Sequence, residues 1–423
     1  MKKRFSLVLS ALMVWLLVSM VARATGTYDW VQVPSCTPDP ENIGRKPLSA
    51  VSFSASDNGN SLGYYVTSGG TNGLWQTHAQ HWDGSEWKCI PSYNYPDVDN
   101  YIYGVTTVSE EDGWAVGSYQ TNNGPRALIL RYDDEEWVNW PITITGATES
   151  VLYSVASDPA SDDVWAVGYI MSLDNDVDAY RTLTMHWDGS SWTRVGSPNA
   201  GSGDNILYGV TRVPNSSVSW AVGAYADSNG DSRLLTMVTD TSETTPPVWT
   251  IPSQLGSPPL GCLRSTSAYS TTAVWAVGFT GNDKCFDAPV VADSVSGSND
   301  ALIRKWNGSS WSSQTPPTLP GSLDLLYGVS VASSTRVWAA GYYAPPNTAT
   351  ATLVLGLNLA DTTPTWKQHC SENPSGTTVW DRLLAVDALS NTEAWAVGWY
   401  YASSGNDKPT LIETYDPPDC FVE

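Results

Sequence analysis

Gly113-Trp114-Ala115-Val116-Gly117 is the stretch that decides the fold, because its tetrapeptide Trp-Ala-Val-Gly returns along the whole chain. A segment of the type Leu152-Tyr153-Ser154-Val155 precedes each copy, and its last residue lies twelve or thirteen positions before the glycine. Such recurrence indicates a repeat architecture. The copies begin at Trp114, Trp165, Trp220, Trp275 and Trp395, with Trp-Ala-Ala-Gly at Trp338.

A degenerate seventh copy lies near the amino terminus, where residues 48–51 are followed twelve positions later by Gly63. Asn60, Ser61 and Leu62 stand there in place of Trp-Ala-Val. Successive copies are separated by about 56 residues on average, a period typical of β-propellers and not of helical solenoids. The sequence therefore predicts an all-β fold, a single seven-bladed β-propeller. Its repeats start near 48, 102, 152, 207, 263, 326 and 383.

Each repeat predicts a blade of four short antiparallel strands. The Leu-x-x-Val segment forms strand a, Trp-Ala-Val-Gly forms strand b, an apolar run such as 183–187 forms strand c, and strand d begins at a second tryptophan. Asp-Gly and Asn-Gly pairs between strands c and d, as at Asp188-Gly189, suit the positive φ of a hairpin turn. Strand b is apolar throughout because neighbouring blades cover both of its faces.

The last repeat ends at 410–416 without a strand d that begins at tryptophan. Residues 28–34, Tyr-Asp-Trp-Val-Gln-Val-Pro, precede the first strand a and are similar to the strand d of other repeats. We therefore expect residues 25–36 to supply the outer strand of the seventh blade and to close the ring. Residues 25–423 then form one propeller domain.

Residues 1–24 have the pattern of a secretory signal peptide. A basic start at Lys2-Lys3-Arg4 precedes an apolar run over 5–21 and the small-x-small sequence Ala22-Arg23-Ala24. A retained membrane anchor is the alternative, since about 17 apolar residues can just span a bilayer. Cleavage predicts a secreted or extracytoplasmic protein that is not inserted in the membrane.

The charge balance of the mature chain limits its partners. Without residues 1–24 the chain keeps 17 basic and all 43 acidic residues, a net charge of −26. Such a protein repels nucleic acid and anionic membranes. We expect a monomer that binds no nucleic acid.

Six cysteines in an exported chain predict three disulfides. Cys262 and Cys285 belong to the same repeat and face the same end of a blade, so we expect them to pair. Among the other four, a bond between Cys36 and Cys420 would leave the remaining two separated by a whole blade. We therefore favour two bonds between neighbouring blades, Cys36 with Cys370 and Cys89 with Cys420.

The segments Gly113–Gly117 and 127–132, followed by Trp137, resemble bacterial propellers with Gly-Trp-Ala-Val-Gly repeats. That group is related to photosystem II assembly factors and to Asp-box, sialidase-like propellers, and the resemblance covers all seven repeats. It implies a propeller fold and leaves the activity open. The Asp-box form Ser-x-Asp-x-Gly-x-Thr-Trp is absent, because Asp83 and Gly84 are adjacent here. A sialidase would carry three arginines around a Tyr and Glu pair, and no such set can be identified in this sequence.

No catalytic motif stands out in the mature chain. It contains no Gly-x-Ser-x-Gly elbow, phosphate-binding loop or dinucleotide fingerprint, and nothing distinguishes a glycosidase carboxylate pair among the many acidic residues. We expect no catalytic residue and no cofactor. Calcium is the one metal that the sequence suggests, because Asp227, Asn229 and Asp231 have the alternating spacing of a calcium loop, although the closing Glu is missing. A solvated acidic loop is the alternative, as it is for the oxygen-rich loop at 174–178.

The second residue of each strand a forms the candidate ligand site. Strand a lines the central channel of a propeller, so four tyrosines and one arginine should converge near the mouth where the d-to-a and b-to-c loops gather. Alternatively, these rings pack between adjacent blades. The candidate ligand-binding residues are Tyr103, Tyr153, Tyr208, Arg264 and Tyr327, and Ser49 and Leu384 complete the ring.

Two functions follow as expectations. The first is an exported, non-catalytic recognition or scaffold propeller that binds a glycan or protein ligand through its loop-rich face. The alternative is a glycan-active hydrolase or lyase of propeller type. An enzyme should have a deep axial pocket that contains a carboxylate of perturbed acidity, whereas a recognition protein can present an aromatic surface.

Overall fold

The structure of the protein is a computed structural model. It describes residues 28–38, 44–67, 73–133, 135–158, 162–172, 179–243, 246–252, 259–281, 285–286, 299–321, 323–346, 349–375, 380–401 and 408–416. The amino-terminal segment 1–24, the oxygen-rich loop at 174–178 and Cys420 lie outside these residues. Within the described ranges, no helix has the length and apolar character needed to cross a membrane.

The described residues form 27 strands in seven antiparallel sheets. The amino-terminal strand is β1 (Trp30–Gln32). Blade 1 contains β2 (Leu48–Ala55), β3 (Asn58–Val66), β4 (Trp75–Trp82) and β5 (Trp87–Ile90). Blade 2 contains β6 (Asn100–Thr107), β7 (Gly113–Thr121), β8 (Gly124–Asp133) and β9 (Glu136–Asn139). Blade 3 contains β10 (Ala147–Ser157), β11 (Asp163–Ser172), β12 (Arg181–Asp188) and β13 (Trp192–Val195).

The remaining blades follow the same order. Blade 4 contains β14 (Asn205–Arg212), β15 (Val218–Ala226) and β16 (Ser232–Asp240). Blade 5 contains β17 (Gly261–Ser270), β18 (Ala273–Thr280), β19 (Ala301–Trp306) and β20 (Trp311–Gln314). Blade 6 contains β21 (Asp324–Val331), β22 (Arg336–Tyr343), β23 (Ala351–Asn358) and β24 (Trp366–His369). Blade 7 contains β25 (Asp381–Ser390), β26 (Glu393–Tyr400) and β27 (Thr410–Tyr415).

The seven innermost strands form a closed ring around a central axis. Each inner strand, from β2 through β6, β10, β14, β17 and β21 to β25, contacts the next, and β25 contacts β2. This arrangement confirms the predicted seven-bladed β-propeller. Blade 4 deviates locally, because among the described residues its outer position is held by the single bridge from Thr250 to Val238 and not by a full strand.

The amino-terminal strand β1 completes blade 7, as predicted. It pairs antiparallel with β27, and Trp30 lies opposite Tyr415 in the register. The Trp30 side chain is fully buried and meets Trp338 of blade 6 edge to face, with ring centroids 5.1 Å apart. Each wide aromatic ring removes a large apolar area from water and favours this edge-to-face geometry. The two ends of the chain are thus joined within one blade.

The turns between the third and fourth strands take the conformation that their sequence predicts. Gly84, Gly189 and Gly308 have φ values of 88°, 89° and 98°. In the first turn, the Asp83 carboxylate accepts hydrogen bonds from the backbone N–H groups of Ser85 and Glu86 at 2.9 and 3.0 Å. Aspartate thus closes the hairpin and glycine supplies the left-handed backbone.

The disulfides correct two expected pairings and confirm one. Cys36 is bonded to Cys89, with Cα atoms 5.4 Å apart, so the pairs Cys36–Cys370 and Cys89–Cys420 are wrong. The chain leaves blade 7 before it reaches Cys36, whose backbone N–H donates to Gln80 Oε1, and Gln80 is the register partner of Cys89. Cys370 is also disulfide-bonded. The expected bond between Cys262 and Cys285 is present.

Candidate functional site

A β-bulge recurs at the same position in all seven inner strands. In blade 3, Leu152 pairs with Gly168 and Ser154 pairs with Val167, so Tyr153 is the extra residue. A bulge bends the strand and redirects the side chain that it adds. The bulged residues all line one axial cavity, and they are Ser49, Tyr103, Tyr153, Tyr208, Arg264, Tyr327 and Leu384.

The glycine of Trp-Ala-Val-Gly lies directly against the bulged strand and makes room for it. A Cβ atom built on Gly168 would lie 1.9 Å from the carbonyl oxygen of Val151 on the bulged strand. The corresponding glycines in the other blades have the same contact at 1.9 to 2.0 Å. Only glycine lets the bulged strand approach this closely, so the repeat motif determines the direction in which the tyrosine side chains project.

The bulged side chains meet as the sequence predicts. Tyr153 lies between Tyr103 and Tyr208, with ring centroids 5.3 and 5.2 Å away. The guanidinium of Arg264 lies 4.2 Å from the ring centroid of Tyr208 and 5.7 Å from that of Tyr327. Tyr103 and Tyr208 are each only 8% exposed. The rings therefore face the axis and also pack against rings of the adjacent blades. Both arrangements expected from the sequence, convergence at the channel and packing between blades, are thus present in part. Their role in ligand binding stays a prediction.

The axial cavity on one side of these rings has a volume of about 270 Å³. Its wall consists mostly of small or hydroxylated residues of the inner strands, because adjacent strands crowd together at the axis. A Cβ atom on Gly104, for example, would lie 2.9 Å from the carbonyl oxygen of Tyr153 in the next blade. The cavity therefore accepts only a narrow ligand.

Asp387 is the single carboxylate among the described residues that line the axial cavity. Burial raises its pKa. The carboxylate accepts hydrogen bonds from Phe53 N at 2.8 Å, Ala388 N at 2.9 Å and Ser330 Oγ at 3.2 Å. Phe53 belongs to blade 1 and Ser330 to blade 6, so Asp387 links blade 7 to both of its neighbours. These hydrogen bonds make the carboxylate part of the contacts between blades.

A second cavity, of about 290 Å³, lies against the other side of the tyrosines. We call it the aromatic pocket. Tyr103, Tyr153 and Tyr208 line both cavities, so these rings form the wall between them. Ser118 and Gln120 add polar groups. The aromatic residues of the pocket are Tyr101, Tyr103, Tyr153, Tyr169, Tyr180, Tyr208 and Phe286.

Four of these residues were missed by sequence reasoning: Tyr101, Tyr169, Tyr180 and Phe286. A signal for Tyr169 is present in the repeat, because the residue after the repeat glycine is aromatic in five of the seven blades. Tyr169 packs on Tyr180, with ring centroids 4.3 Å apart. Tyr180 and Phe286 lie in or next to b-to-c loops, whose lengths differ between repeats, so the repeat does not place them.

The Cys262–Cys285 disulfide holds Phe286 at the aromatic pocket. Cys262 belongs to the inner strand β17, and the bond ties the b-to-c loop of blade 5 to that strand with a Cα separation of 5.9 Å. The Tyr208 hydroxyl donates a hydrogen bond to the carbonyl oxygen of Cys285. The next residue, Phe286, then lines the pocket. The predicted disulfide thus preorganises one wall of the site.

The aromatic pocket has a neutral lining with charges of both signs behind it, since the Arg264 guanidinium lies 4.2 Å from the ring centroid of Tyr208. Its described lining contains no Lys or Arg. Burial raises the pKa of Tyr153 and Tyr169, and it raises the pKa of Tyr208 to about 12, so the phenols stay neutral. Acidic groups lie nearby, since Asp99 further raises the pKa of Tyr101 and Glu149 that of Tyr169. Neutral phenols are hydrogen-bond donors and weak nucleophiles.

The expected calcium loop is organised by its own residues. Asp227 Oδ1 accepts hydrogen bonds from the N–H groups of Asn229 at 2.8 Å and Asp231 at 3.1 Å. Its second oxygen, Oδ2, lies 2.9 Å from Arg233 Nε. The arginine supplies the positive charge at this loop, and the calcium expectation stays a prediction. Elsewhere in the described ranges, the one cluster with metal-ligating geometry is Cys36, His78 and Cys89, whose two sulfurs form a disulfide.

Comparisons with known proteins show a similarity of fold only. No model of a known protein family matches the chain, and no curated protein sequence matches it. The structure of U3-55K is similar at 10% sequence identity and a TM-score of 0.43, over 74% of this chain and 81% of that one. The crystal structure of RRP9 WD40 repeats is similar at 9% identity and a TM-score of 0.45, over 77% of this chain and 84% of that one. At such identities the likeness concerns the propeller fold alone.

Proposed function

We propose that the protein is an exported, non-catalytic recognition propeller that binds a neutral or cationic ligand in the aromatic pocket. A glycan is the ligand class that we favour. The observation that carries the proposal is the convergence of seven aromatic rings from four blades on a cavity of about 290 Å³. Disulfides indicate an oxidising, extracytoplasmic environment. The pattern of residues 1–24 supports export through a cleaved signal peptide.

The chemistry of tyrosine suits a sugar. A flat ring offers an apolar face to the C–H groups of a pyranose, and its hydroxyl can bond to a sugar hydroxyl with little loss of side-chain entropy. No hydrogen bond to the described residues is found for the Tyr153 and Tyr169 hydroxyls, so both can pair with a ligand. The nearby carboxylates disfavour a polyanionic ligand and are compatible with an amino sugar.

The alternative, a glycan-active hydrolase or lyase, rests on Asp387, the carboxylate of raised pKa in the axial cavity. A hydrolase of the common kind needs a second carboxyl group about 5 to 9.5 Å from the first. Within the described lining of that cavity, Asp387 has no such companion. Its hydrogen bonds to blades 1 and 6 compensate for the cost of its burial and are consistent with a structural role. The recognition function is therefore better supported.

A glycan array with the mature protein, run in parallel with an assay for reducing-sugar release, tests the proposal. We expect binding without release. Each hit is then titrated against Tyr169→Phe, which keeps the ring and removes the hydroxyl, and against Phe286→Ala. The first change should weaken binding about fivefold and the second about tenfold, because each removes one ligand contact of roughly 1 to 1.4 kcal/mol.

Tyr269→Ala is the matched control, since Tyr269 is 47% exposed and does not line the aromatic pocket. Its affinity should equal that of the wild type. Pocket variants that bind every hit as tightly as the control would show that the ligand lies elsewhere. Release of reducing sugar that Asp387→Asn abolishes, in a folded variant, would favour the enzymatic alternative.

A further inference from the structure

A third cavity, of about 230 Å³, lies outside the ring of tyrosines. It is bounded by β7 and β8 of blade 2 and by the connection that leads to β10 of blade 3. Ile142 and Ile144 of the connection form an apolar wall, and Arg126 projects from β8. The cavity shares no lining residue with the aromatic pocket. We call it the Arg126 groove.

Arg126 has no hydrogen-bond or ion-pair partner among the residues that the structure describes. Its guanidinium has no ring contact with them either, and its Nη1 atom is buried. Other arginines of the same chain are paired, such as Arg131 with Asp112 at 3.1 Å and Arg233 with Asp227 at 2.9 Å. Arginines that lack a carboxylate are bonded to other oxygens instead, as Arg181 is to Gly203 O at 2.7 Å and Arg304 to Ser313 Oγ at 2.7 Å.

Arg126 is half-buried, and the unfavourable part of its position is the buried Nη1 atom. A charge removed from water without a partner destabilises the folded protein, and the penalty disappears when an anion pairs with it. A carboxylate fits best, because its two oxygens match the planar fork of the guanidinium. The carboxylate of Glu149 lies beside Gly124, two residues before Arg126 on β8, but it forms no ion pair with Arg126. The groove is therefore complementary to an anionic group that binds Arg126 directly.

A second donor lies in the same groove. Ser150 is buried, and its Oγ accepts a hydrogen bond from the backbone N–H of Ala127 at 3.0 Å. The hydroxyl hydrogen of Ser150 has no acceptor among the described residues. It can donate to a carboxylate oxygen that Arg126 also binds, while Ile142 and Ile144 cover an apolar substituent. The volume equals roughly eight water molecules, at about 30 Å³ each, which limits the ligand to a small acid.

We propose that the Arg126 groove binds a small monocarboxylate that carries an apolar group. One arginine neutralises one negative charge, and the net charge of the chain opposes ligands with more. The proposal is independent of the ligand of the aromatic pocket. It assigns a binding function to a half-buried arginine whose Nη1 atom has no hydrogen-bond partner among the described residues.

Isobutyrate is the probe, and isobutyramide, which has the same shape without the charge, is its matched control. Calorimetric titration of the mature protein should show binding of isobutyrate and at least about tenfold weaker binding of isobutyramide. Arg126→Gln should lose isobutyrate binding. Arg126→Lys keeps the charge but not the fork, so it should bind several-fold more weakly than the wild type. Arg194→Gln, at an exposed arginine of blade 3, should not change the affinity.

Three results would overturn the proposal: no binding of isobutyrate to the wild type, equal binding of acid and amide, or equal binding by Arg126→Gln and Arg194→Gln. If Arg126→Gln fails to fold, the comparison of acid with amide and the Arg126→Lys variant still decide the question.

Discussion

At Gly168 the absence of a side chain determines the geometry of a whole blade. The glycine lies on β11 directly under the carbonyl of Val151, at a point where β10 carries its bulge. A methyl group there would force the two strands apart and would move Tyr153 away from the axis. One position of the repeat thus affects both the stability of the blade and the shape of the aromatic pocket.

We therefore predict that Gly168→Ala lowers the free energy of unfolding by about 3 kcal/mol, the upper range for overpacking in a core. Urea denaturation measures the change. Gly196→Ala is the control, because a Cβ atom there would meet nothing within 4 Å, and it should change stability by less than about 0.5 kcal/mol. Equal unfolding midpoints for the two variants would contradict this account of the repeat glycine.

Elements were predictable from the sequence where the repeat fixes them. The periodic Trp-Ala-Val-Gly motif places strands a and b, and a side chain at a fixed repeat position has a fixed direction, so Tyr103 and its counterparts were found. Phe286 was not, because its position depends on a disulfide across a loop. The Cys36–Cys89 bond was missed for a related reason: the path of the segment that joins blade 7 to blade 1 has no counterpart in the other repeats.

Blade 7 contains buried carboxyl groups beside the closing strand. Burial raises the pKa of Asp381, at the start of β25, to about 7, and Ser375 donates a hydrogen bond to it. Glu413 of β27 is fully buried, and its pKa is raised by burial and by the nearby Glu372 and Asp381. Both groups hold protons in the folded state at a pH where the unfolded chain has released them.

Stability should therefore fall as the pH rises from about 4 to about 7, because the folded state binds more protons than the unfolded state over that window. Asp381→Asn removes one such group and keeps its shape. The variant and the wild type should be equally stable near pH 4, and near pH 8 the variant should be more stable by about 3 kcal/mol. Urea denaturation at the two pH values gives the difference. A difference that is the same at both would contradict the assignment.

The whole molecule depends on the closure of the ring. The seven bulged residues meet at the axis only if blade 7 contacts blade 1, and β1 is the strand that completes blade 7. The strand and its flanking residue bury Trp30 against Trp338 and pair Asp29 with His369. Removal of these residues would expose the edge of β27 and leave the buried His369 without this partner. The candidate site is thus a product of ring closure.

The most direct test of this account is the thermal unfolding midpoint of a chain that begins at residue 35, compared with one that begins at residue 25. The two differ in the strand β1 and keep all six cysteines. We predict that the shorter chain aggregates or unfolds at a clearly lower temperature. An unchanged midpoint would show that the propeller, and with it the tyrosine ring at its axis, does not depend on closure by the amino-terminal strand.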